Sequence, residues 1–494
     1  MLEEIRKTRI EKLKKLKEAG MEPYPISCKR DFYLAEVLAD FSKLSKRKTP
    51  LNLVGRLLAI REHGGSLFCD FADGSTSLTA GGPAKLQAYL KKDIIGEKLF
   101  SLFKEAVDVG DFLEFQGKLF LTKKKEKTIE IKEWRMLAKS LRPLPEKWHG
   151  LQDIEERFRK RYLDILMNKE VRERFFLRSK IISELRKFLE KEGFVEAETP
   201  ILQPLAGGAA AQPFITHHNA LVIDLYLRIA PELYLKRLLI AGLPKVYELG
   251  RNFRNEGIDA FHNPEFTLLE FYEAYSNAGN QRDFIEKMFR ALVKNLFKRT
   301  FIEYNGDKID FSKEFKVISF FEVLKRFALL VNAETASEED FKLKAKQFGI
   351  EVSASDSKEK IADNIFKKIC RPKIIQPTFI VDYPAGLLPL AKSFEKNKEM
   401  ADAFQLVVGG LELVKGFSEL NNPLEQKERF LRQEEAWAKG DLEAGESDDD
   451  FLEAMEYGMP PAGGVGIGLD RLAMLFANVK NIKEVILFPT MKPK

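Results

Sequence analysis

Apolar residues follow two different rhythms along this chain. In residues 1–20, Leu2, Ile5, Leu13 and Leu16 fall near one stripe of helical period, with Arg6, Lys7, Lys12, Lys14 and Lys15 around it. This predicts a basic amphipathic helix stopped by Gly20, Pro23 and Pro25. Two readings suit it: a solvated helix packed on a neighbour, which is preferred, and an arm that contacts phosphates. From Leu51 to about Ala138 the period shortens. LNLVGRLLAI, SLFCDFAD, DFLEFQGKLFLT and KTIEIKEWRML read as strands between turns rich in Gly, Asp and Lys. PAKLQAYLKKDI, about 83–94, reads as a helical insert. Several strands with one such insert predict a small β-barrel, for which an oligonucleotide-binding (OB) fold is one candidate.

LRPLPEKWHGLQD, 141–153, holds two prolines and a glycine and reads as a linker. Beyond it, Phe175, Leu177, Ile181, Ile182, Leu185, Phe188 and Leu189 give 170–192 a helical spacing. Strands rich in β-branched and aromatic residues follow, then more helices and a Gly-rich C-terminal segment. This mixture predicts a large α+β domain. The expected organisation is a basic helix and lead-in at 1–50, a barrel at 51–140, the linker at 141–153 and the α+β domain at 154–494. No repeat of solenoid period is visible.

Composition narrows the class. A chain of 494 residues exceeds one hydrophobic core, and 45% apolar with 32% charged residues is ordinary for a globular protein. The formal net charge of +6 is compatible with a polyanion partner without establishing one. Cys28, Cys69 and Cys370 are scattered, which argues against a disulfide framework or a cysteine-rich zinc site and for a reducing, cytoplasmic setting. No apolar run is long enough for a membrane span, and the charged N-terminus is unlike a secretory signal. The acidic run GESDDD, 445–450, reads as a solvated loop or helix start.

The candidate chemistry centres on RNFRNEGIDAFHNPEFTLLEFYEAY, 251–275. Two strands, roughly 246–256 and 265–273, would be joined by GIDAFHNP. Alternation then puts Arg254 and Glu256 on one face of the first strand, and Phe266, Glu270 and Tyr272 on one face of the second. Leu269 and Phe271 would point the other way, into core. Buried charges need partners or a ligand. A salt-bridge network on an exposed sheet would use the same residues, and this segment alone does not choose. In PELYLKRLLIAG, Pro231 puts Glu232 in the first turn of a helix, where a carboxylate also complements the dipole. GGVGIGLDRLAMLF, 463–476, lacks the G-K-[ST] of a P-loop and on its own reads as a generic Gly-rich turn, with Arg471 where strand becomes helix. Adjacent His217 and His218 read as structural rather than zinc-binding.

Three segments occur in order: GFVEAETPIL (193–202), FRNEGIDAFHNPEF (253–266) and GIGLDR (466–471). They resemble motifs 1, 2 and 3 of the class II aminoacyl-tRNA synthetases, at about 185–202, 246–272 and 463–476. FITHHNALVIDLYLRIAPELYLKRLL, KGFSELN and LRPLPEKWHGLQDIEERFRKRYLD resemble the lysyl-type wording. The resemblance runs from the N-terminal helix almost to Lys494. It implies an OB barrel that reads the anticodon, then an antiparallel sheet flanked by helices that performs the chemistry. It also implies a homodimer through motif 1 and an insertion within 305–375. The implied reaction is ATP-dependent attachment of L-lysine to tRNA(Lys) through a lysyl-adenylate.

The same resemblance implies roles. Arg254 would bridge the α-phosphate and the lysine carboxylate, and Phe266 would stack on adenine with Arg471 on its other face or near the γ-phosphate. Glu256 would accept from adenine and His262 would approach the γ-phosphate; Arg254, His262 and Arg471 would carry the catalysis. Glu232, near Gly208, would take the α-ammonium, and Glu270, Tyr272 and Glu419 the side-chain ammonium. Glu412 would hold Mg²⁺. Phe68 would stack on an anticodon base.

The chain also departs from the family wording. Gln405 stands where a second metal-binding glutamate is usual, which predicts a weaker or missing metal. Ala403 replaces an arginine, and Thr79 falls near where a glutamine often reads a base. Lys415 replaces an asparagine beside the amino acid. Its ammonium would either assist the substrate carboxylate, which is preferred, or compete in the acidic pocket. These departures define the rival readings: a non-catalytic paralogue with an RNA-binding or regulatory role, or an enzyme with an altered substrate or acceptor.

Overall fold

Two compact units divide the chain: Met1–Arg157 with Tyr162–Lys169, and Phe158–Arg161 with Glu170–Lys494. The computed structural model describes residues 2–76, 83–145, 151, 153–208, 211–353, 356–438 and 447–493. Thr79 and part of the proline-containing linker lie outside the described residues.

In the first unit, period-two alternation becomes a closed barrel. Its strands are β1 (Leu51–His63), β2 (Ser66–Thr76), β3 (Pro83–Lys91), β4 (Phe112–Leu121) and β5 (Lys127–Ala138), in the order β1-β2-β3-β5-β4. The expected helix at 83–94 is therefore a strand, followed by one helical turn at Lys92–Ile95. Ala84, Leu86, Ala88 and Leu90 are buried in strict alternation. β2 and β5 offer backbone partners on either side, which a helix there would leave unpaired. The barrel's longer helix is Glu97–Ala106, which buries Phe100 and Phe103. The N-terminal helix, Leu2–Glu18, packs on the barrel unit. Arg9 donates to the carbonyls of Val109, Ser140 and Arg142, and Lys12 pairs with Asp108 at 2.7 Å. These contacts favour the packed-helix reading.

The second unit is built on a mixed sheet. Its strands are β6 (Val195–Glu196), β7 (Leu202–Gln203), β8 (Phe214–His218), β9 (Ile223–Leu227), β10 (Lys245–Phe253), β11 (Glu265–Ala274), β12 (Phe301–Tyr304), β13 (Asp307–Asp310), β14 (Lys316–Ser319), β15 (Thr378–Pro384), β16 (Met400–Val408), β17 (Leu411–Ser418) and β18 (Ala462–Gly468). Eight of them form one sheet, β14-β15-β16-β17-β18-β11-β10-β6, antiparallel except at its two ends. Leu269 and Phe271 of β11 and Val465 and Ile467 of β18 share a core with Ile181, Leu185 and Leu189 of the helix Lys169–Lys191. The helices Ala278–Phe297 and Leu469–Ala477 complete that layer. Glu270 and Tyr272 alternate onto the opposite face. Between β14 and β15, the helices Phe320–Ala328, Glu338–Gln347 and Lys358–Ile365 gather a separate apolar cluster around Phe320, Phe341 and Ile361. His217 pairs with Asp224 at 2.8 Å, and His218 accepts from the Leu221 amide.

Candidate active site

The hairpin β10–β11 carries the charges that break the apolar rhythm. Its register pairs Asn252 with Phe266, Glu248 with Glu270 and Val246 with Tyr272. The first strand ends at Phe253, earlier than the expected 256. Arg254 and Glu256 thus leave the ladder and lie on the loop. The Arg254 amide closes the hairpin by donating to Pro264 O, and the Asn255 amide turns away to Gln212 O. A cleft of about 610 Å³ opens on this face. It is lined by Gly208, Glu232, Arg254, Glu256, His262, Phe266, Glu270, Tyr272, Gln405, Glu412, Lys415 and Arg471.

One end of the cleft is acidic. Glu232 opens the helix Glu232–Ile240, Glu270 and Tyr272 come from β11, and Glu419 follows β17. Tyr272 Oη donates to Glu270 Oε2 at 2.9 Å. Glu419 does not line the cleft itself but stands behind Gly464, where a Cβ would come within 2.0 Å of its Oε1 and 2.5 Å of Tyr272. Gly208 adopts φ 88° and brings its backbone against Glu232. Burial and the neighbouring Glu232 carboxylate push Glu270 up to about 8, and burial pushes Glu419 up to about 8 against the pull of Lys236. Tyr272 is held well above its ordinary value by burial and by the same three carboxylates.

The other end is cationic. The Arg254 guanidinium lies 5.1 Å from the Phe266 ring centroid, and its buried Nε has no partner among the described residues. Arg471 donates to His262 Nε2 at 2.8 Å, so the ring proton sits on Nδ1 and is donated to Asp259. Arg471 is fixed by its neighbour Asp470, which accepts from the Thr267 amide at 2.7 Å and pairs with Arg178 at 2.6 Å. Glu412 lies 3.4 Å from Arg371. Burial works against its charge, but Arg471, Arg371 and Lys415 hold it below the usual carboxylate range. Burial lowers Lys415, opposed by Glu412 and Asp363.

The residues that could hold a divalent metal are Glu412 and Gln405. Gln405 Oε1 is buried and has no hydrogen-bond partner among the described residues. It comes from β16, beside β17 with its Glu412, and both residues line the cleft. One ionised carboxylate and one orphaned amide oxygen fit a hard cation that draws its remaining ligands from phosphate and water. Among the described residues no cluster of three or more His, Cys, Asp or Glu could hold a metal unaided.

All the second-unit residues to which the sequence assigned a binding or catalytic role thus surround one cleft, Glu419 from behind. Ala403 is instead buried in β16. Phe68 belongs to the barrel, where its ring centroid lies 4.8 Å from that of Tyr89, which is 6.2 Å from that of Phe120. The sequence reading missed Asp259, Arg371 and above all Lys236, whose ammonium lies 2.5 Å from Glu232 and 2.5 Å from Glu419. The ammonium that reaches the acidic end is therefore that of Lys236. The available signal was its position four residues after Glu232 on one helix.

Residues 153–492 match the family model described as tRNA synthetases class II (D, K and N). Curated relatives align along most or all of the chain. A lysine–tRNA ligase of Pelotomaculum thermopropionicum is 46% identical over 100% of this chain and 96% of its own. One of Syntrophomonas wolfei is 44% identical over 100% and 98%. One of Aquifex aeolicus is 47% identical over 90% of this chain and 73% of its own.

Proposed function

The chain belongs to the class II tRNA synthetases of the D, K and N group, and from that premise we propose how it works as a lysine–tRNA ligase. It joins L-lysine to tRNA at the expense of ATP. The lysine carboxylate attacks the α-phosphorus, pyrophosphate leaves, and a hydroxyl of the tRNA terminal ribose takes the lysyl group from the adenylate. The observation that carries the substrate assignment is the cleft's polarity: Glu232, Glu270 and Tyr272 at one end with Glu419 behind Gly464, and Arg254, His262 and Arg471 at the other.

The first step brings two anions together, so positioning and charge neutralisation dominate. Arg254, with its unpartnered Nε, bridges the substrate carboxylate and the α-phosphate. Phe266 and Arg471 sandwich the adenine, Glu256 accepts from it, and His262 turns toward the γ-phosphate. Glu232, beside Gly208, takes the α-ammonium. Glu270, Tyr272 and Glu419 take the side-chain ammonium, and a neutral side chain leaves these acids unpaired. Lys415 faces the substrate carboxylate; the charges acting on it include Glu412, Asp363, Lys367 and Glu232. Glu412 and Gln405 would hold Mg²⁺, which supplies charge neutralisation on the phosphates. With one carboxylate instead of two, Gln405 makes that hold weak.

In the barrel, Phe68 stacks on an anticodon base, supported by Tyr89 and Phe120. The tRNA(Lys) partner, a homodimer and a cytoplasmic setting complete the reading. Val195, Ile201 and Leu202 around motif 1, with Ile215, Val222 and Ile223 of the neighbouring hairpin, expose apolar side chains suited to a second copy. No helix among the described residues is long and apolar enough to cross a membrane.

Lysine-dependent ATP–pyrophosphate exchange tests the proposal, with Mg²⁺ varied and arginine, ornithine and aspartate as controls. Exchange with lysine alone, at a raised Mg²⁺ requirement, is expected. Folded protein that binds tRNA but gives no exchange at any Mg²⁺ level would overturn it.

A further inference from the structure

The acidic end of the cleft holds an ammonium of its own. Lys236 is fully buried, does not line the cleft, and stands behind the carboxylates. Its Nζ contacts Glu232 Oε1 and Glu419 Oε2, each at 2.5 Å, and lies 5.6 Å from the Phe417 ring centroid. Neither Glu419 oxygen has a hydrogen-bond partner among the described residues, so Oε2 is held by the ion pair to Lys236 alone and Oε1 by nothing. Lys236 thus ties together two carboxylates from different elements, one at a helix start and one beyond β17. Three formal carboxylate charges (Glu232, Glu270 and Glu419) less one ammonium leave two. A lysine substrate brings two ammonium groups to that end, while its carboxylate goes toward Arg254.

We infer that Lys236 is a positioning residue for amino-acid selection, a resident ammonium that aims Glu232 and Glu419 and sets the pocket's charge to match a dicationic ligand. This rests on the reading of the cleft as a lysine site and adds a proton balance to it. The groups facing one another are Glu232 and Lys236 from the helix, Glu270 and Tyr272 from β11, Glu419, Arg254 from the loop, and Lys415 of β17, which shares a register with Glu270 across Gly466. Three converging buried carboxylates do not ionise together without countercharge. With Glu270 and Glu419 held up to about 8, the empty pocket keeps protons near neutrality. The incoming ammonium groups displace those protons into solvent. Lysine binding therefore tightens as pH rises toward 8. Without Lys236, Glu419 loses the cation that favours its ionised form, and the same tightening is deferred to higher pH.

The test is calorimetric titration of the full-length protein with L-lysine from pH 6 to 9, using wild type, Lys236→Met and Lys236→Arg. Wild-type Kd is expected to fall about tenfold or more between pH 6 and 8, since each proton released gives up to about tenfold per pH unit. Lys236→Met is expected to bind about tenfold more weakly at pH 7, with the deficit narrowing toward pH 9 and Lys236→Arg recovering most of it. A deficit equal at every pH, or none, overturns the inference. Proton release by the wild type, from titrations in phosphate and in Tris at pH 7, gives a reading that needs no variant. One to two protons per lysine are expected, and zero overturns the inference. A wild type that binds no lysine overturns the lysine reading as well. One that binds lysine while Lys236→Met shows a pH-independent deficit overturns only the role of Lys236.

Discussion

In the proposed mechanism, Arg254 is the residue on which the adenylation chemistry turns. Its guanidinium lies by Phe266, with a buried Nε that no protein group satisfies among the described residues. Removing one preorganised donor from developing charge costs roughly 10²–10³-fold in rate. Arg254→Ala is therefore expected to lower kcat for lysine-dependent exchange by about that factor, measured with both substrates saturating. The acidic end makes a second prediction at this scale. The folded-state values of Glu270 and Glu419, about 8, lie above the ordinary 4.5. The stabilisation from their protonated forms is complete below about pH 4.5 and is lost as pH rises through about 8. The thermal midpoint of the ligand-free protein should carry this decline. Glu270→Gln should flatten part of it, and saturating lysine should offset it most near pH 8. A midpoint whose pH dependence ignores both changes would contradict the burial argument.

At the scale of elements, β18 shows how a strand without side chains makes room for others. Gly464 passes so close to Glu419 and Tyr272 that a Cβ would overlap both. The rigid backbone of the paired strands β11 and β17 gives little scope for retreat. Gly464→Ala is expected to raise the lysine KM by at least about tenfold, the scale of one methyl group misplaced in a fitted pocket, with the ATP KM nearly unchanged. Equal effects on both substrates would show a general disturbance of the sheet instead. Elements also mark where local pattern misled. Residues 84–90 satisfy an i, i+4 spacing at Leu86 and Leu90 as well as alternation. Only the ladders to β2 and β5 select the strand. The hairpin behaved oppositely: alternation placed Leu269 and Phe271 in core and Glu270 and Tyr272 toward the cleft, as expected. Its first strand ended before Arg254, because Pro264 opposite it has no amide to return a bond and the next amide, that of Asn255, turns to Gln212 O.

For the whole molecule, the barrel and the cleft lie in separate compact units. On the proposed reading, anticodon recognition and adenylation are accordingly separable by mutation. A stacked aromatic contributes about 1–3 kcal/mol per base, so Phe68→Ala should raise the tRNA KM by roughly 5–150-fold. Lysine-dependent pyrophosphate exchange, a step in which tRNA takes no part, should keep its rate; a parallel loss of exchange would tie Phe68 to the catalytic unit. The sequence by itself determined the family, the barrel, the mixed α+β domain and most of the side chains around the cleft. Its ordered motifs and strand parity encode these directly, because alternation fixes which side chains share a face. Tertiary structure alone decided that β3 is a strand, since backbone pairing is a property of neighbours distant in sequence. It alone decided that Glu419 stands behind Gly464 and that Lys236 bridges Glu232, four positions before it, to Glu419, 183 positions after it.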